Sequence, residues 1–454
     1  MPTFTTRDPA TGEPLATYDA LTPEALDRAL DASAEAFRAH RQRPLADRAA
    51  LLQRAAELLA RDRERHAALM TREMGKPLAQ ARAEVDKCAW LCRFYAQHGP
   101  AWLADERAET EAHWSGVAFA PLGPLLAVMP WNFPYWQAIR AAAPALLAGN
   151  TVLLKHAENV LGCGEALAGL WREAGAGDAF QHLIVEVDRV EGTIRDGRIA
   201  AVTLTGSEGA GRAVGRAAGE ALKPCVLELG GSDAFVVLDD ADLDLAVSRG
   251  VASRTQNNGQ SCIAAKRFIL HRRVAKPFTR RFVDAMEALV VGPPEAEGTD
   301  LGPLAREDLR GALHRQVETT QREGARLLCG GRVPDSAGWY YPPTVLAGVT
   351  EAMLPFREEL FGPVAALTVA HDEDDAVRLA NTTRFGLGGA VFTRDRDRGE
   401  RVARRLHTGA AFVNEMTQSH PALPFGGVGA SGVGRELARQ GLRAFVNEKA
   451  LWVG

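Results

Sequence analysis

Four short runs in this chain carry residue types that belong to one reaction. Asn257-Asn258-Gly259-Gln260-Ser261-Cys262 ends a glycine-containing loop on a cysteine, and Glu228-Leu229-Gly230-Gly231 sets a carboxylate before two glycines. The others are Pro130-Trp131-Asn132-Phe133-Pro134 and Glu359-Leu360-Phe361-Gly362-Pro363. Each is a weak signal alone. Together they offer a sulfur nucleophile, a general base, an amide donor for a developing oxyanion and a clamp for a cofactor. Oxidation of an aldehyde through a thioester needs that set. A thiolate adds to the carbonyl carbon, and the acyl thioester formed later is open to hydrolysis. A donor such as Asn132, aimed at the tetrahedral oxygen, is worth roughly 3–4 kcal/mol. A partly buried carboxylate with a raised pKa, such as Glu228, suits activation of the hydrolytic water.

These groups need strand ends and loops to hold them. Residues 22–98 read as helices: Thr22-Pro23 is a cap followed by proline at the first helical position, and Leu26, Leu30, Ala34 and Phe37 recur at helical spacing. A second amphipathic stretch carries Leu51, Leu52, Ala55, Leu58 and Leu59. The pattern changes after Gly99-Pro100, where 117–120 and 125–129 read as strands around the turn Leu122-Gly123-Pro124. Apolar strands at 151–154, 200–204 and 234–238 then precede helices at 160–173, 209–221 and 242–253. Such alternation predicts parallel sheets with right-handed crossovers, whose ligands sit beyond the carboxyl ends of the strands. Lys155, Thr205-Gly206-Ser207 and Glu228 fall at or just past such ends. Gly206-Ser207, followed by Gly209-Ala210-Gly211 at a helix start, offers backbone N–H groups to a pyrophosphate, although the usual dinucleotide glycine fingerprint is absent.

Length and composition narrow the classes. A chain of 454 residues, 46% of them hydrophobic, has material for about three domains with real cores. A net charge of −4 without a long basic run argues against nucleic acid or an anionic membrane as partner. No run approaches the ~20 apolar residues of a bilayer-spanning helix. Met1 to Arg7 lacks a basic segment followed by an apolar one, so a cytoplasmic protein is expected. Six cysteines at 88, 92, 163, 225, 262 and 329 are too sparse for a disulfide framework. Cys88 and Cys92, one helical turn apart, read as buried small residues rather than ligands, and no metal is expected.

From Asp8-Pro9-Ala10-Thr11-Gly12 to Gly432-Val433-Gly434-Arg435-Glu436, the chain resembles the NAD(P)-dependent aldehyde dehydrogenase family. The resemblance implies an α/β fold in three parts. A Rossmann-type nucleotide-binding domain would span 1–111 and 128–229, and an α/β catalytic domain 230–423. A small β oligomerisation element with a substrate-mouth tail would take 112–127 and 424–454. It implies Cys262 as nucleophile, Glu228 as base, and Asn132 with the Cys262 N–H as oxyanion donors. Trp131, Gly206, Ser207 and Leu229 fall in the cofactor site, Lys155 and Glu158 at the adenosine ribose, Glu359 and Phe361 at the nicotinamide ribose. A carboxylate at Glu158 accepts from a free 2′-OH and repels a 2′-phosphate, which favours NAD; NADP is the alternative, because Lys155 can pair with phosphate. Relatives that pass the acyl group to coenzyme A carry a different residue at the Glu228 position, so release of the free acid is expected. The resemblance also implies a homodimer or homotetramer.

Arg140 bears on the substrate. It lies in an apolar segment after Asn132, where members acting on apolar or quaternary-amine aldehydes carry an aromatic residue. Members that oxidise succinate semialdehyde carry arginine, whose fork can hold a carboxylate. The competing reading of Arg140 is an ion pair or an exposed helix residue. The stretches 129–134, 154–157 and 225–233 look like the short bacterial succinate-semialdehyde dehydrogenases. His156 replaces a common proline and reads as a loop residue, not a catalyst. Gln256 stands where better-known members of that branch have arginine, which leaves a second carboxylate contact open; Arg254 is two positions away. Gly429 replaces a usual lysine with no consequence assigned. Ser419 and His420, within 416–420, are further candidates for the carboxylate. The expected reaction is NAD(P)-dependent oxidation of succinate semialdehyde to succinate. Glutarate semialdehyde or a broad range of aliphatic aldehydes is the alternative, and a catalytically silent binding protein on the same fold is the reading from a different class.

Overall fold

Parallel strands sheathed by helices form the centre of the computed structural model, which describes residues 2–454. One sheet has six strands in the order Gly432–Val433, Cys225–Glu228, Ala201–Thr205, Pro124–Met129, Thr151–His156, Phe180–His182. All of its pairs are parallel except the first. Every residue of Thr151–His156 is buried, as a strand covered on both faces requires. A second sheet has seven strands: Arg326–Cys329, Thr344–Ala347, Val364–Ala370, Ala265–His271, Asp233–Val237, Gly388–Phe392 and Ala410–Val413. Only its first pair is antiparallel. A third, antiparallel sheet joins Val446–Val453, Trp114–Pro121 and Glu106–Arg107.

Local signals account for several helices. Pro23–His40 begins where Thr22 Oγ1 accepts from Ala25 N at 3.1 Å, with Pro23 in the first turn. Leu161–Ala174, Glu208–Glu220 and Leu243–Thr255 lie close to the expected spans. The break expected at Gly99-Pro100 is absent, because the helix Leu78–Trp102 runs through Pro100. Pro100 lacks the N–H that would reach back one turn, and the helix end is held instead by Leu103 N donating to Gly99 O and Pro100 O and by Trp102 packed against Phe94 and Tyr95.

The strands flanking Leu122-Gly123-Pro124 do not pair with each other. Trp114–Pro121 joins the three-stranded sheet and Pro124–Met129 the six-stranded one. At the crossing, Gly123 N donates to Asn150 Oδ1 at 3.0 Å. Residues 124–127, expected in the oligomerisation element, therefore belong to the six-stranded sheet, as does Gly432–Val433 of the expected tail. Both corrections have one cause: a strand joins the sheet that satisfies its backbone, whatever lies next to it in sequence.

The helix Trp136–Ala148 is buried at all 13 residues and shares a core with Leu51, Leu59, Val85, Leu125 and Val152. Each large apolar side chain buried there contributes about 1.5–3 kcal/mol. Among the described residues no helix is long and apolar enough to cross a membrane.

Candidate active site

The helix Leu243–Thr255 gives way to a tight turn, Gln256–Gly259, before Cys262. Asn257, Asn258 and Gly259 take φ of 55°, 58° and 74°, all left-handed. Such a conformation costs a non-glycine residue about 1–2 kcal/mol, and side-chain bonds offset it. Asn258 Nδ2 donates to Gly75 O and Pro303 O, both at 2.8 Å, and its Oδ1 accepts from Gly302 N at 2.8 Å. Asn257 Nδ2 donates to Asn132 O at 2.6 Å and Gln260 O at 3.0 Å.

The turn brings the four runs together. A Cβ on Gly259 would lie 2.3 Å from Gly362 C, and one on Gly231 would lie 2.7 Å from Cys262 O. Glycine at both places lets the cysteine loop rest on the 359–363 loop and on the strand end that bears Glu228. Lys266 ties the assembly: Nζ donates to Ser261 O at 2.8 Å and Cys262 O at 2.6 Å, and pairs with Glu359 Oε1 at 2.9 Å. Cys262 keeps partial exposure, but burial pushes its thiol up to about 12, against the pull of Lys266. It is therefore a thiol at neutral pH in this arrangement.

Asn132 Nδ2 donates to Gln260 O at 3.0 Å, and its Oδ1 accepts from Gln137 Nε2 at 3.0 Å. Gln137 thus sets the amide's orientation, and one N–H of Asn132 is left over. Among the described residues the Cys262 N–H also has no acceptor. Those two donors are available to an oxygen on a carbon bonded to the sulfur. The loop that presents Asn132 is braced twice. His156 Nε2 donates to Pro134 O at 3.0 Å while Nδ1 accepts from Ala157 N at 3.0 Å, and burial lowers its pKa to about 3, so the ring is neutral. Glu84 Oε1 accepts from Tyr135 N and Trp136 N, both at 2.9 Å, capping the buried helix, and its other oxygen pairs with buried Lys76.

Glu228 ends the strand Cys225–Glu228 at 2% exposure, and neither carboxyl oxygen has a hydrogen-bond partner. Burial first, and Glu436 second, raise its pKa well above the usual carboxylate range; Arg140 opposes them. That environment suits a base that takes up and releases a proton more readily than an exposed carboxylate.

The cofactor candidates gather at the same edge. Lys155 is buried, its pKa lowered by burial with Glu158 opposing, and Glu158 is exposed at the head of Glu158–Val160. Gly206 precedes Ser207, which caps Glu208–Glu220 with Oγ accepting from Ala210 N at 3.3 Å. Leu229 is buried in one cluster with Val214 of that helix. Trp131 and Phe361 meet edge to face at 5.8 Å, and Gly231 N donates to Glu359 Oε1 at 3.2 Å. An amine without an ion pair beside an exposed carboxylate fits ribose hydroxyls, and a capped helix N-terminus fits a pyrophosphate. Such a donor set is compatible with a dinucleotide.

Next to Cys262 opens a pocket of about 720 Å³, walled by Trp136, Arg140, Gln256, Ser419 and Phe425. Arg140 answers to both readings of it. It reaches the pocket, yet Nε pairs with Glu436 Oε2, Nη2 donates to Thr205 Oγ1 at 3.3 Å, and the guanidinium lies 4.7 Å from the Phe425 ring. Ser419 is a wall residue. His420 is not: it is exposed, its ring packs edge-on to Trp90 at 4.9 Å, and its Nδ1 accepts from Ala422 N at 3.1 Å. Arg254 also turns away, donating Nη2 to Gly259 O at 2.5 Å beneath the turn. Gln256 Nε2, at the wall, has no partner.

The sequence profile of the aldehyde dehydrogenase family matches residues 2–451. The chain belongs to the aldehyde dehydrogenase family. A succinate semialdehyde dehydrogenase [NAD(P)+] of Escherichia coli (strain K12) is 50% identical over 446 residues, 98% of this chain and 96% of that one. A succinate-semialdehyde dehydrogenase [NADP(+)] of Mycobacterium tuberculosis (strain ATCC 25618 / H37Rv) is 49% identical over 99% of each chain. Among solved structures, succinic semialdehyde dehydrogenase from Streptococcus pyogenes in complex with NADP+ superposes with a TM-score of 0.97 at 36% identity, covering 99% of both chains.

Three site residues of this aldehyde dehydrogenase carried no assignment from sequence. Gln137 and Glu436 lie within or beside quoted runs, and only contact geometry reveals their partners. Lys87 sits mid-helix in Leu78–Trp102, outside every motif, yet lines the pocket. Gly429, for its part, has φ 60° with Arg384 O 2.8 Å from where a Cβ would stand, so a side chain there would be strained.

Proposed function

We propose that this aldehyde dehydrogenase oxidises succinate semialdehyde to succinate, with NAD preferred and NADP as the alternative. The observation that carries the reading is a cationic pocket wall, Arg140 included, beside Cys262. The names borne by relatives of about half identity support it. The Cys262 thiol gives its proton to solvent in the open pocket and adds to the aldehyde carbon as thiolate, and the oxyanion rests on the free Asn132 N–H and the Cys262 N–H. Bound nicotinamide supplies the hydride acceptor. Trp131, Gly206, Ser207, Leu229, Glu359 and Phe361 hold the dinucleotide, with Lys155 and Glu158 on the adenosine ribose. Glu228 takes the proton of the water that hydrolyses the thioester.

The protein acts in the cytoplasm as a homodimer or homotetramer. Exposed Trp452 (58%) and Val453 (50%) on the C-terminal strand favour assembly through that edge. The deciding experiment compares kcat/KM for succinate semialdehyde with that for butanal, which has the same chain length and no carboxylate. A preference of about 100-fold, or ~2.7 kcal/mol in the transition state, is expected. Equal values would sink the substrate assignment and leave the aldehyde dehydrogenase chemistry standing.

A further inference from the structure

We propose that Lys87, working with Ser419, is the principal cation for the substrate's distal carboxylate, with Arg140 secondary. The inference rests on the succinate semialdehyde reading above. Lys87 lines the Cys262 pocket from the helix Leu78–Trp102. Its Nζ donates to Ser419 Oγ at 2.8 Å and lies 4.4 Å from the Trp136 ring centroid. Those two contacts fix the ammonium without neutralising it: a hydroxyl carries no charge, and the indole face holds a cation only by its quadrupole.

Among the described residues Lys87 has no acidic partner within ion-pair distance. Its neighbour one turn back, Glu84, is taken up by Lys76 and by the N–H groups of Tyr135 and Trp136. Burial, with Arg140 close by, pulls the Lys87 pKa down to about 8, so the amine is still mostly protonated at pH 7. A partly buried cation without a counter-ion is costly, and an arriving carboxylate removes that cost.

Arg140 stands in contrast. Its charge is already met by Glu436, and Thr205 takes a further N–H. A substrate carboxylate would compete there with a resident one. At Lys87 it meets no competitor. Since Ser419 Oγ accepts from Lys87, its own proton remains free for the second carboxylate oxygen. Gln256, also on this wall, adds an amide donor without a partner.

The test uses the full-length enzyme with saturating NAD and follows the ratio of kcat/KM for succinate semialdehyde to that for butanal. Lys87→Met should lower the ratio about 30-fold, chiefly through KM for the semialdehyde, with Lys87→Arg recovering about tenfold. Inhibition of butanal oxidation by succinate should weaken in parallel. Lys87→Gln serves in place of the methionine variant if that chain misfolds. A ratio that stays at the wild-type value, or equal losses on both substrates, overturns the role of Lys87. A wild-type enzyme that does not prefer the semialdehyde overturns the substrate reading instead, so the two failures are distinct.

Discussion

The two ends of the pocket are built in different ways. At the nucleophile end, groups come from short contiguous runs held largely by backbone: the left-handed turn before Cys262, the braced loop of Asn132, the strand end of Glu228. Lys266 joins the cysteine loop to Glu359, and Asn257 joins it to Asn132. Along the rest of the wall, Lys87, Arg140 and Ser419 arrive singly from separate elements and act through side chains alone. The first arrangement resists change, because altering one residue shifts several others. The second can be retuned one side chain at a time. Chemistry is therefore the rigid property of this molecule and substrate choice the adjustable one.

The contrast can be broken most severely at Cys262. Cys262→Ala should lower kcat/KM about 10⁴-fold or more for semialdehyde and butanal alike, while NAD binding followed by fluorescence is retained. A loss confined to one substrate would contradict the division between the two ends.

Glu228→Gln comes next, with kcat reduced about 10³-fold and a first-turnover burst of NADH preserved, because acylation does not need the base. The pH dependence follows from the raised Glu228 pKa. The base must be deprotonated, so steady-state kcat falls as pH drops through a value well above the usual carboxylate range. Glu436→Gln removes a neighbour that raises that pKa, and the acid limb should move to lower pH. A limb that stays in place would assign it to another group.

The smallest effect belongs to the exposed Glu158. Glu158→Gln removes the repulsion toward a 2′-phosphate and should raise the NADP to NAD ratio of kcat/KM about tenfold, more at low salt. An unchanged ratio would leave Lys155 as the determinant.

Much of this was legible in sequence where the signal is local. Thr22-Pro23 marked a helix start and Gly259 marked a loop before Cys262, while the left-handed backbone of Asn257 and Asn258 shows only in the structure. Pro100 misled, since the cost of a proline depends on its place in the helix and on the aromatic anchor at Trp102. Leu122-Gly123-Pro124 marked the break between two strands, but no turn forms there: the chain crosses directly from the three-stranded sheet into the six-stranded one. His156 reads from sequence as a loop residue, but it closes the buried strand Thr151–His156 and braces Pro134, because sheet pairing with Met129 draws it into the ladder.

The sequence by itself determined the family, the parallel α/β class and the residues available for thioester chemistry, because each is encoded in residue types at short range. Tertiary structure alone decided how Arg140 divides its charge between Glu436 and the pocket. It also decided that Ser419 rather than His420 faces inward, and that Lys87 stands at the wall of a site formed hundreds of residues downstream. Those are questions of which side chains meet across the folded chain. Charge pairing and desolvation act at a few ångströms in space, and distance along the sequence does not report them.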